Sequence, residues 1–216
     1  MVGSAAVSNT SGASEFVMTD ADFAEISRLA GEHTGIVLGP HKRNMVYGRI
    51  ARRIRALGLD SFKTYLQFLN DNPREEMSNF INSITTNLTS FFRESHHFDY
   101  LETKLLPELR QANAHTRKLR IWSAGSSIGQ EAYSIAMTIK KAGFPSDWDI
   151  RILATDLDSN VLETGRKGIY PIDHIDSIDK AIVKKFFRIS SDQKSVQVIP
   201  ELREMVSFKR LNLLEK

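Results

Sequence analysis

The chain of 216 residues contains no cysteine. Disulfide bonds, thiolate zinc sites and cysteine nucleophiles are therefore excluded for this sequence. No apolar run reaches the ~20 residues that a membrane-spanning helix needs, and the amino terminus lacks the basic-then-apolar order of a signal peptide. These absences predict a soluble, cytoplasmic protein without membrane insertion.

Basic residues are concentrated in one segment, although the net charge of the chain is only +3. Between Val37 and Leu59 there are several arginine and lysine residues and no acidic residue. Such a surface favours an acidic partner, which on charge alone could be a glutamate-rich protein, a nucleic acid or anionic lipid. The candidate docking residues are Arg49, Arg52, Arg53 and Arg55.

The hydrophobic pattern divides the chain into parts of different character. Residues 1–15 are rich in Ser, Ala and Gly and are predicted to be a disordered lead. Apolar residues then recur at helical spacing, which predicts a helical amino-terminal domain over residues 16–90. Strand and helix patterns alternate over residues 91–216, which is typical of a parallel α/β sheet. A small antiparallel β insert is expected at about residues 170–205.

Capping signals predict where several helices begin. Thr19 with Asp22 resembles a capping box, a basic helix is expected from about Arg43 to Leu57, and Asp60 is expected to cap the next one. A further helix is predicted from about Ser95 to Ala112. Its buried positions are expected to be Phe98, Leu101 and Leu105.

Two stretches predict a small-molecule site. The run RIWSAGSSIGQEAYS over residues 120–134 indicates a strand, a Gly/Ser turn and a helix, with Trp122 expected as a buried strand residue. About twenty-five residues further on, a β-rich run ends on Asp156, a spacing at which nucleotide folds place an acid against a ribose. The pair predicts an adenosine-type cofactor.

Four ordered motifs carry a family resemblance. They are TTNLTSFFRESHHF at 85–98, the run at 120–134, ATDLD at 154–158 followed by a GIY tripeptide, and a final NLL. Together they resemble the chemotaxis-receptor (CheR-type) methyltransferases over about Asp20 to Glu215. The resemblance implies an N-terminal helical bundle followed by a Rossmann-like methyltransferase sheet, with S-adenosylmethionine as donor and S-adenosylhomocysteine as product. It also implies methylation of specific glutamate side chains of chemoreceptors.

The resemblance also assigns site residues. Arg93 of FFRE would bind the cofactor's carboxylate and is the single candidate catalytic residue, because a carboxylate acceptor needs no general base and the enzyme must mainly position the reactants. Asp156 would bind the ribose, although an aspartate after a strand is commonly a helix cap, a task for which Asp158 is better placed. The remaining candidate cofactor-binding residues are Thr89, Ala124, Gly125, Glu131, Asn212 and Leu213. Glu131 could equally be a helix-start glutamate stabilised by the helix dipole.

Some positions depart from the family pattern. Ile128, Gln130 and Ala132 stand where threonine, glutamate and proline are usual, and Gln130 removes one negative charge near a cationic cofactor. The sequence stops at the NLL segment, whereas the family continues into further strands. A sheet of three main strands is therefore expected, with an uncovered edge and an apparently truncated fold.

The expected partner is the cytoplasmic coiled coil of a methyl-accepting chemoreceptor, docked on the basic helix, with the insert as a second docking edge. A non-catalytic S-adenosylmethionine- or partner-binding module is the alternative. A nucleic-acid methyltransferase is a third possibility, but no NPPY-type sequence supports it. No nucleic-acid partner is expected. No metal is expected either, because the adjacent His96 and His97 point about 100° apart on a helix and do not form a pair of ligands.

Overall fold

A computed structural model describes residues 15–214. Nearly all of the predicted disordered lead, residues 1–14, lies outside the described residues. The chain divides into two compact units, Met1–Ile84 and Thr85–Lys216. The expected architecture, a helical domain followed by a mostly parallel sheet with a small antiparallel one, is confirmed. None of the helices between residues 15 and 214 is long and apolar enough to cross a membrane.

In the first unit, all regular structure between residues 15 and 84 is helical. Its elements are α1 (Asp20–Thr34), a 3-10 turn (Pro40–Lys42), α2 (Arg43–Ala56), α3 (Phe62–Asp71) and α4 (Pro73–Ile84). The predicted capping box is present, because the Thr19 side chain accepts from the backbone of Asp22 while the Asp22 carboxylate accepts from the backbone of Thr19. The helix ends at Gly35, whose φ of 73° is a left-handed conformation.

The cap of α3 differs from the expectation. Ser61, and not Asp60, is the N-cap, and its hydroxyl accepts from the backbone of Thr64. Asp60 instead accepts hydrogen bonds from the hydroxyls of Ser61 and Thr64, so it supports the cap from one position earlier. These hydrogen bonds, that of Thr64 first, lower the pKa of Asp60.

The second unit alternates helices and strands. Its elements are α5 (His96–Tyr100), a π-helical segment (Leu101–Leu105), α6 (Leu106–Ala112), β1 (Lys118–Ala124), α7 (Gln130–Lys141), β2 (Asp149–Asp156), α8 (Ser159–Lys167), β3 (Ile169–Pro171), a 3-10 helix (Ile172–Ile175), α9 (Lys180–Phe186), β4 (Phe187–Ile189), β5 (Ser195–Val198), α10 (Pro200–Arg203) and β6 (Val206–Arg210).

The helical run after Ser95 contains a π segment that was not predicted. A π turn holds more residues than an α turn, so side chains beyond it change face. Leu106 is consequently fully buried, whereas Leu105, which was expected in the core, is exposed. Phe98 and Leu101 are half-buried.

Three parallel strands form the main sheet within the described residues, in the order β1-β2-β6. The central strand β2 places Ile152 between Ile121 of β1 and Val206 of β6. Helices α7 and α8 contact β2 and β6, and Ala136 of α7 lies in the same apolar core as Ile152. Since all three strands run the same way, their carboxyl ends meet at one edge, where ligands bind in open α/β sheets.

The other face of this sheet is exposed. Trp122 pairs with Leu153 in register, and the two side chains are 54% and 41% exposed. The expectation of a buried Trp122 is therefore wrong. Successive strand residues point to opposite faces, and Trp122 lies on the face opposite to Leu119 and Ser123, which are buried.

The antiparallel insert has the strand order β3-β5-β4. A small antiparallel insert was expected from the sequence, and it is present. The insert contributes Tyr170, Phe187 and Val196 to the same core as the main sheet.

Candidate functional site

The turn between β1 and α7 is a compact left-handed loop. Gly125, Ser127 and Gly129 have φ values of 72°, 49° and 87°. The N–H of Ser126 donates to the carbonyl of Thr155 at 2.8 Å, which attaches the turn to the end of β2. A Cβ at Gly129 would lie 2.7 Å from the Phe208 ring, so packing as well as φ requires glycine there, while a Cβ at Gly125 would meet open space.

Asp156 ends the central strand and holds this turn. Its Oδ2 accepts from the N–H of Ser127 at 2.8 Å and its Oδ1 accepts from the N–H of Asp158 at 3.0 Å. An ionised carboxylate has about four acceptor positions, so Asp156 can accept further hydrogen bonds from a ligand's hydroxyl groups.

Glu131 lies in the first turn of α7 and is exposed. Its Oε1 accepts a hydrogen bond from the hydroxyl of Ser123, near the end of β1, at 2.6 Å. The position is compatible with both expectations for this residue, because the carboxylate is close to the positive end of a helix and also borders the turn. Ala124, the last residue of β1, is exposed beside it.

The FFRE segment is not helical, so Thr89 does not lie one helical turn before Arg93. Residues 85–90 have no regular structure, and Phe92 and Glu94 have positive φ values of 53° and 56°, which interrupt a right-handed helix. The exposed Arg93 guanidinium donates from Nη1 to the carbonyl of Leu88 at 3.1 Å. The N–H of Phe92 donates to Ser134 Oγ at 2.9 Å, so the backbone beside Arg93 is attached to α7.

Asp158 is the N-cap of α8, as expected, but it has a second set of contacts. Its Oδ1 accepts from the N–H groups of Asn160 and Val161, and its Oδ2 accepts from Thr85 Oγ1 and Asn87 Nδ2, both at 2.8 Å. The sequence analysis missed Thr85 and Asn87. The one sequence signal for these two residues was their place at the start of the motif at residues 85–98.

The end of β6 lies beside Asp156. The N–H of Leu211 donates to the carbonyl of Asp156 at 3.0 Å, and Asn212 Oδ1 accepts from the N–H of Leu214 at 3.1 Å. Leu213 is 70% exposed. Asn212 and Leu213 therefore follow directly after a contact with the end of the central strand.

Gln130 is buried and its side chain is directed toward the insert. Its amide lies 3.0 Å from Nδ1 of His174, which follows β3. Its Oε1 and the hydroxyl of Ser126 are buried without a hydrogen-bond partner among the described residues. The glutamine that stands here in place of the usual glutamate therefore has a hydrogen-bonding neighbour in the insert, His174.

Residues 125–129 also fit the Gly-x-Ser-x-Gly pattern of a nucleophile elbow, and the interpretation of the sequence as lacking this pattern is wrong. Ser127 is nevertheless buried, and its hydroxyl donates to the carbonyl of Asn87 at 3.0 Å. His174 contacts the side chain of Gln130, at the start of α7. The Ser127 hydroxyl therefore tethers the segment that contains Asn87, and no histidine between residues 15 and 214 accepts a hydrogen bond from it, as activation of a serine nucleophile would require.

The four candidate docking arginines of α2 have different environments. Arg53 forms a bidentate pair with Glu76, at 2.9 and 2.5 Å, and Glu76 is 2% exposed and also accepts from Tyr65 at 3.1 Å. Arg53 is thus part of the packing of the first unit, and its assignment to a docking surface stays a prediction. The pairing raises the pKa of Arg53, and burial raises that of Tyr65.

The other three differ in how far they reach solvent. Arg49 donates to the carbonyl of Ile84 at 2.8 Å and its pKa is lowered by burial. Arg55 forms an exposed ion pair with Glu15. Arg52 is exposed, and no hydrogen bond or ion pair of its side chain occurs within residues 15–214.

Comparison with known proteins gives a consistent result for both units. Residues 87–216 match the family described as CheR methyltransferase, SAM binding domain, and residues 21–85 match CheR methyltransferase, all-alpha domain. The chain belongs to the CheR methyltransferase family.

Relatives in the CheR family align with most of the chain. The chemotaxis protein methyltransferase 2 of Pseudomonas aeruginosa is 41% identical over 208 residues, which cover 94% of this chain and 72% of the relative. The chemotaxis protein methyltransferases of Salmonella typhimurium and Escherichia coli are 42% and 41% identical over 204 residues, which cover 92% of this chain and 68% of each relative. The chain is accordingly a methyltransferase whose methyl donor is S-adenosylmethionine.

The residues at the carboxyl edge fit this CheR-family cofactor. The turn offers an open backbone surface at Gly125, and two carboxylates, Asp156 and Glu131, border it. Within residues 15–214, the exposed Arg93 guanidinium makes one hydrogen bond, to the carbonyl of Leu88, although it carries five N–H groups. A nucleoside with a cationic sulfur and an amino-acid end needs such acceptors for its hydroxyl and ammonium groups and a guanidinium for its carboxylate.

Proposed function

We propose that this protein transfers methyl groups from S-adenosylmethionine to glutamate side chains of chemoreceptors, in the cytoplasm. One observation supports this most directly. The carboxylate of Asp156, at the end of the central parallel strand, holds the N–H of Ser127 inside the left-handed turn, and the Arg93 segment is attached to the same turn and helix. Family membership makes the chain a methyltransferase, and the proposal adds the acceptor of its methyl group.

The proposed roles divide the cofactor among the residues of the carboxyl edge. Asp156 accepts from the ribose hydroxyls, Arg93 binds the cofactor's carboxylate and Glu131 faces its ammonium group. Backbone groups of Ala124 and Gly125 border its central part. Thr89 lies in the Arg93 segment, and Asn212 and Leu213 are proposed to lie against the adenine.

Bound S-adenosylmethionine supplies a methyl group that is activated by attachment to a sulfonium. The acceptor glutamate is ionised at neutral pH and already has the electron pair for the new bond, so no residue has to remove a proton. The side chains of the site therefore act by orientation and by exclusion of water.

The receptor is proposed to dock on the exposed basic part of α2. Arg52 and Arg55 are the exposed members of the group, and an acidic coiled-coil surface would complement them. Arg49 is partly engaged with a backbone carbonyl, so it contributes charge more than contact.

The test is a methyl-transfer assay with the purified chain, tritiated-methyl S-adenosylmethionine and the cytoplasmic domain of a chemoreceptor. We expect label on the receptor that alkali releases as methanol, because a carboxyl methyl ester is alkali-labile. A receptor domain with its acceptor glutamates changed to alanine is the control and should stay unlabelled.

Two results would contradict the proposal. Calorimetric binding of the cofactor without any transfer would support the non-catalytic module, which the family membership does not favour. Transfer to DNA or RNA in place of the receptor would support the nucleic-acid alternative.

A further inference from the structure

Four residues at the carboxyl edge of the main sheet form a closed ring of hydrogen bonds. The N–H of Ser127 donates to Asp156 Oδ2 at 2.8 Å, and the hydroxyl of Ser127 donates to the carbonyl of Asn87 at 3.0 Å. Asn87 Nδ2 donates to Asp158 Oδ2 at 2.8 Å, and the N–H of Asp158 donates to Asp156 Oδ1 at 3.0 Å. Every link has good hydrogen-bond length, so the four residues hold one geometry.

Asp158 does more in this ring than a helix cap requires. It is 3% exposed, and a buried carboxylate is tolerated only when its acceptor positions are satisfied. One oxygen caps α8, while the other accepts from Thr85 and Asn87. Asp179 makes the same cap on α9 through Oδ1 alone, with donors Ala181 and Ile182. Capping therefore leaves the second oxygen of Asp158 unexplained.

The ring joins the two parts of the proposed cofactor site. Asp156 belongs to the ribose side, whereas Asn87 lies in the segment that contains Thr89 and Arg93. Asn87 and Asp158 are 71 residues apart in sequence, and their bond, with that of Ser127 to Asn87, connects this segment to the turn and to the end of β2. A ligand that contacts both sides binds well only if their separation is fixed beforehand.

We propose that Asp158 and Asn87 are positioning residues of the cofactor site. They fix the Arg93 segment relative to Asp156 without touching the cofactor themselves. The inference rests on the proposed function, because it takes Arg93 and Asp156 as the groups that grip the two ends of S-adenosylmethionine. It predicts that breaking the bond between Asn87 and Asp158 lowers cofactor affinity by loosening the segment, even when the cap of α8 is kept.

Asp158→Asn separates this role from capping. Asparagine caps helices as well as aspartate does, so Oδ1 can still accept from the first turn of α8. Its amide, however, brings an N–H group toward the Asn87 amide and the Thr85 hydroxyl, and the bond to Asn87 is lost. Asp179→Asn is the matched control, since it makes the same change at a cap that lacks the second set of contacts.

The measurement is calorimetric titration of each full-length variant with S-adenosylhomocysteine, together with thermal unfolding. We expect Asp158→Asn to bind about ten-fold more weakly than the wild type, the scale of one charged hydrogen bond, and Asp179→Asn to bind like the wild type. Wild-type affinity in Asp158→Asn would overturn the proposal.

A reciprocal exchange provides a readout that loss of stability alone cannot give. In the double variant Asn87→Asp with Asp158→Asn, the new amide at 158 can donate to the new carboxylate at 87, while the cap of α8 is retained. We expect affinity to recover to within about three-fold of the wild type, although each single variant is weakened. Additive losses in the double variant would also overturn the proposal.

Arg93→Ala and Asp156→Ala distinguish this failure from that of the proposed function. If both weaken binding while Asp158→Asn does not, the positioning role alone is wrong. If neither weakens binding, the site assignment is wrong and the positioning role is overturned with it.

Discussion

The ring of Tyr170 meets the ring of Phe91 edge to face, with centroids 5.1 Å apart. The hydroxyl of the same tyrosine donates to the carbonyl of Ile128 in the turn at 2.7 Å. One residue of the antiparallel insert thus contacts both the FFRE segment and the turn. The insert is therefore part of what supports the proposed cofactor site.

Tyr170→Phe is expected to weaken binding of S-adenosylhomocysteine by several-fold. The ring contact to Phe91 is kept, but the carbonyl of Ile128 loses its donor, which costs about 1–2 kcal/mol in unfolding free energy. Tyr133→Phe is the matched control, because its buried hydroxyl donates to the carbonyl of Gly165 at 2.7 Å in the same core. We expect similar stability losses in denaturant unfolding and weaker binding only for Tyr170→Phe. Equal affinities would refute the support role of the insert.

Arg52→Glu is expected to reduce receptor methylation by several-fold at low salt and to leave cofactor affinity unchanged. The side chain is exposed, so reversal of its charge alters the docking surface without disturbing packing. Arg74→Glu, an exposed charge reversal on α4, is the control and should keep normal methylation. Equal effects of the two substitutions on the methylation rate would contradict docking through α2.

Arg53→Glu should behave differently, because it would place a second carboxylate beside the buried Glu76. Loss of this pair is expected to lower the unfolding free energy by about 3 kcal/mol or more. Arg28→Glu is a useful comparison, since Arg28 pairs with Glu25 and Glu32 on an exposed helix face, where such pairs contribute less than about 1 kcal/mol each. Denaturant unfolding of both variants measures the difference. Similar losses of unfolding free energy in the two variants would mean that the pair of Arg53 with Glu76 does not stabilise the fold.

Gly129→Ala is expected mainly to lower stability, whereas Gly125→Ala is expected mainly to lower cofactor affinity. Both residues have positive φ, which costs alanine about 1–2 kcal/mol. At Gly129 the new Cβ also meets the Phe208 ring at 2.7 Å, so the total loss of stability should reach about 2–5 kcal/mol. At Gly125 the methyl group enters open space on the proposed cofactor side, so affinity should fall more than stability. Denaturant unfolding and calorimetric titration of both variants provide the test. If Gly125→Ala lowered stability but left cofactor affinity unchanged, the turn would not be the cofactor surface.

Asp149, at the amino edge of the main sheet, makes a pH-dependent contribution to the stability of the fold. Hydrogen bonding to Arg120, and to a smaller extent Arg151, lowers the pKa of Asp149 below its ordinary value. A carboxylate with a lowered folded-state pKa stabilises the fold above its unfolded pKa, and this stabilisation is lost as pH falls through the folded value. We expect Asp149→Asn to melt below the wild type at neutral pH and the gap to close in acid. A difference in melting temperature that stays the same in acid would contradict this role of the Asp149 carboxylate.

Features set by neighbouring residues were predictable from the sequence. The capping box at Thr19, the cap at Asp158 and the turn after β1 each depend on residues within a few positions, and all three are present. The presence of a small antiparallel insert was also predicted from local patterns, and the insert is present.

Features set by distant residues were not predictable. The partner of Arg53 lies 23 residues away and that of Asp158 71 residues away, so a basic stripe and a helix cap looked complete without them. The exposure of Trp122 depends on which face of the sheet the helices cover, and strand alternation alone does not decide that. The burial of Leu106 in place of Leu105 follows from the π segment, which no residue pattern in the run signals.

The exposed side chain of Trp122 provides an intrinsic optical probe. Its indole N–H donates to the hydroxyl of Thr155 at 2.9 Å, and the carbonyl of Thr155 accepts from Ser126 in the turn. The chain has only one other tryptophan, Trp148, so Trp148→Phe yields a protein whose single tryptophan lies next to the turn and can be excited selectively at long wavelength. Ordering of the turn by a nucleoside would then be visible as a change in emission wavelength, without any label attached to the protein.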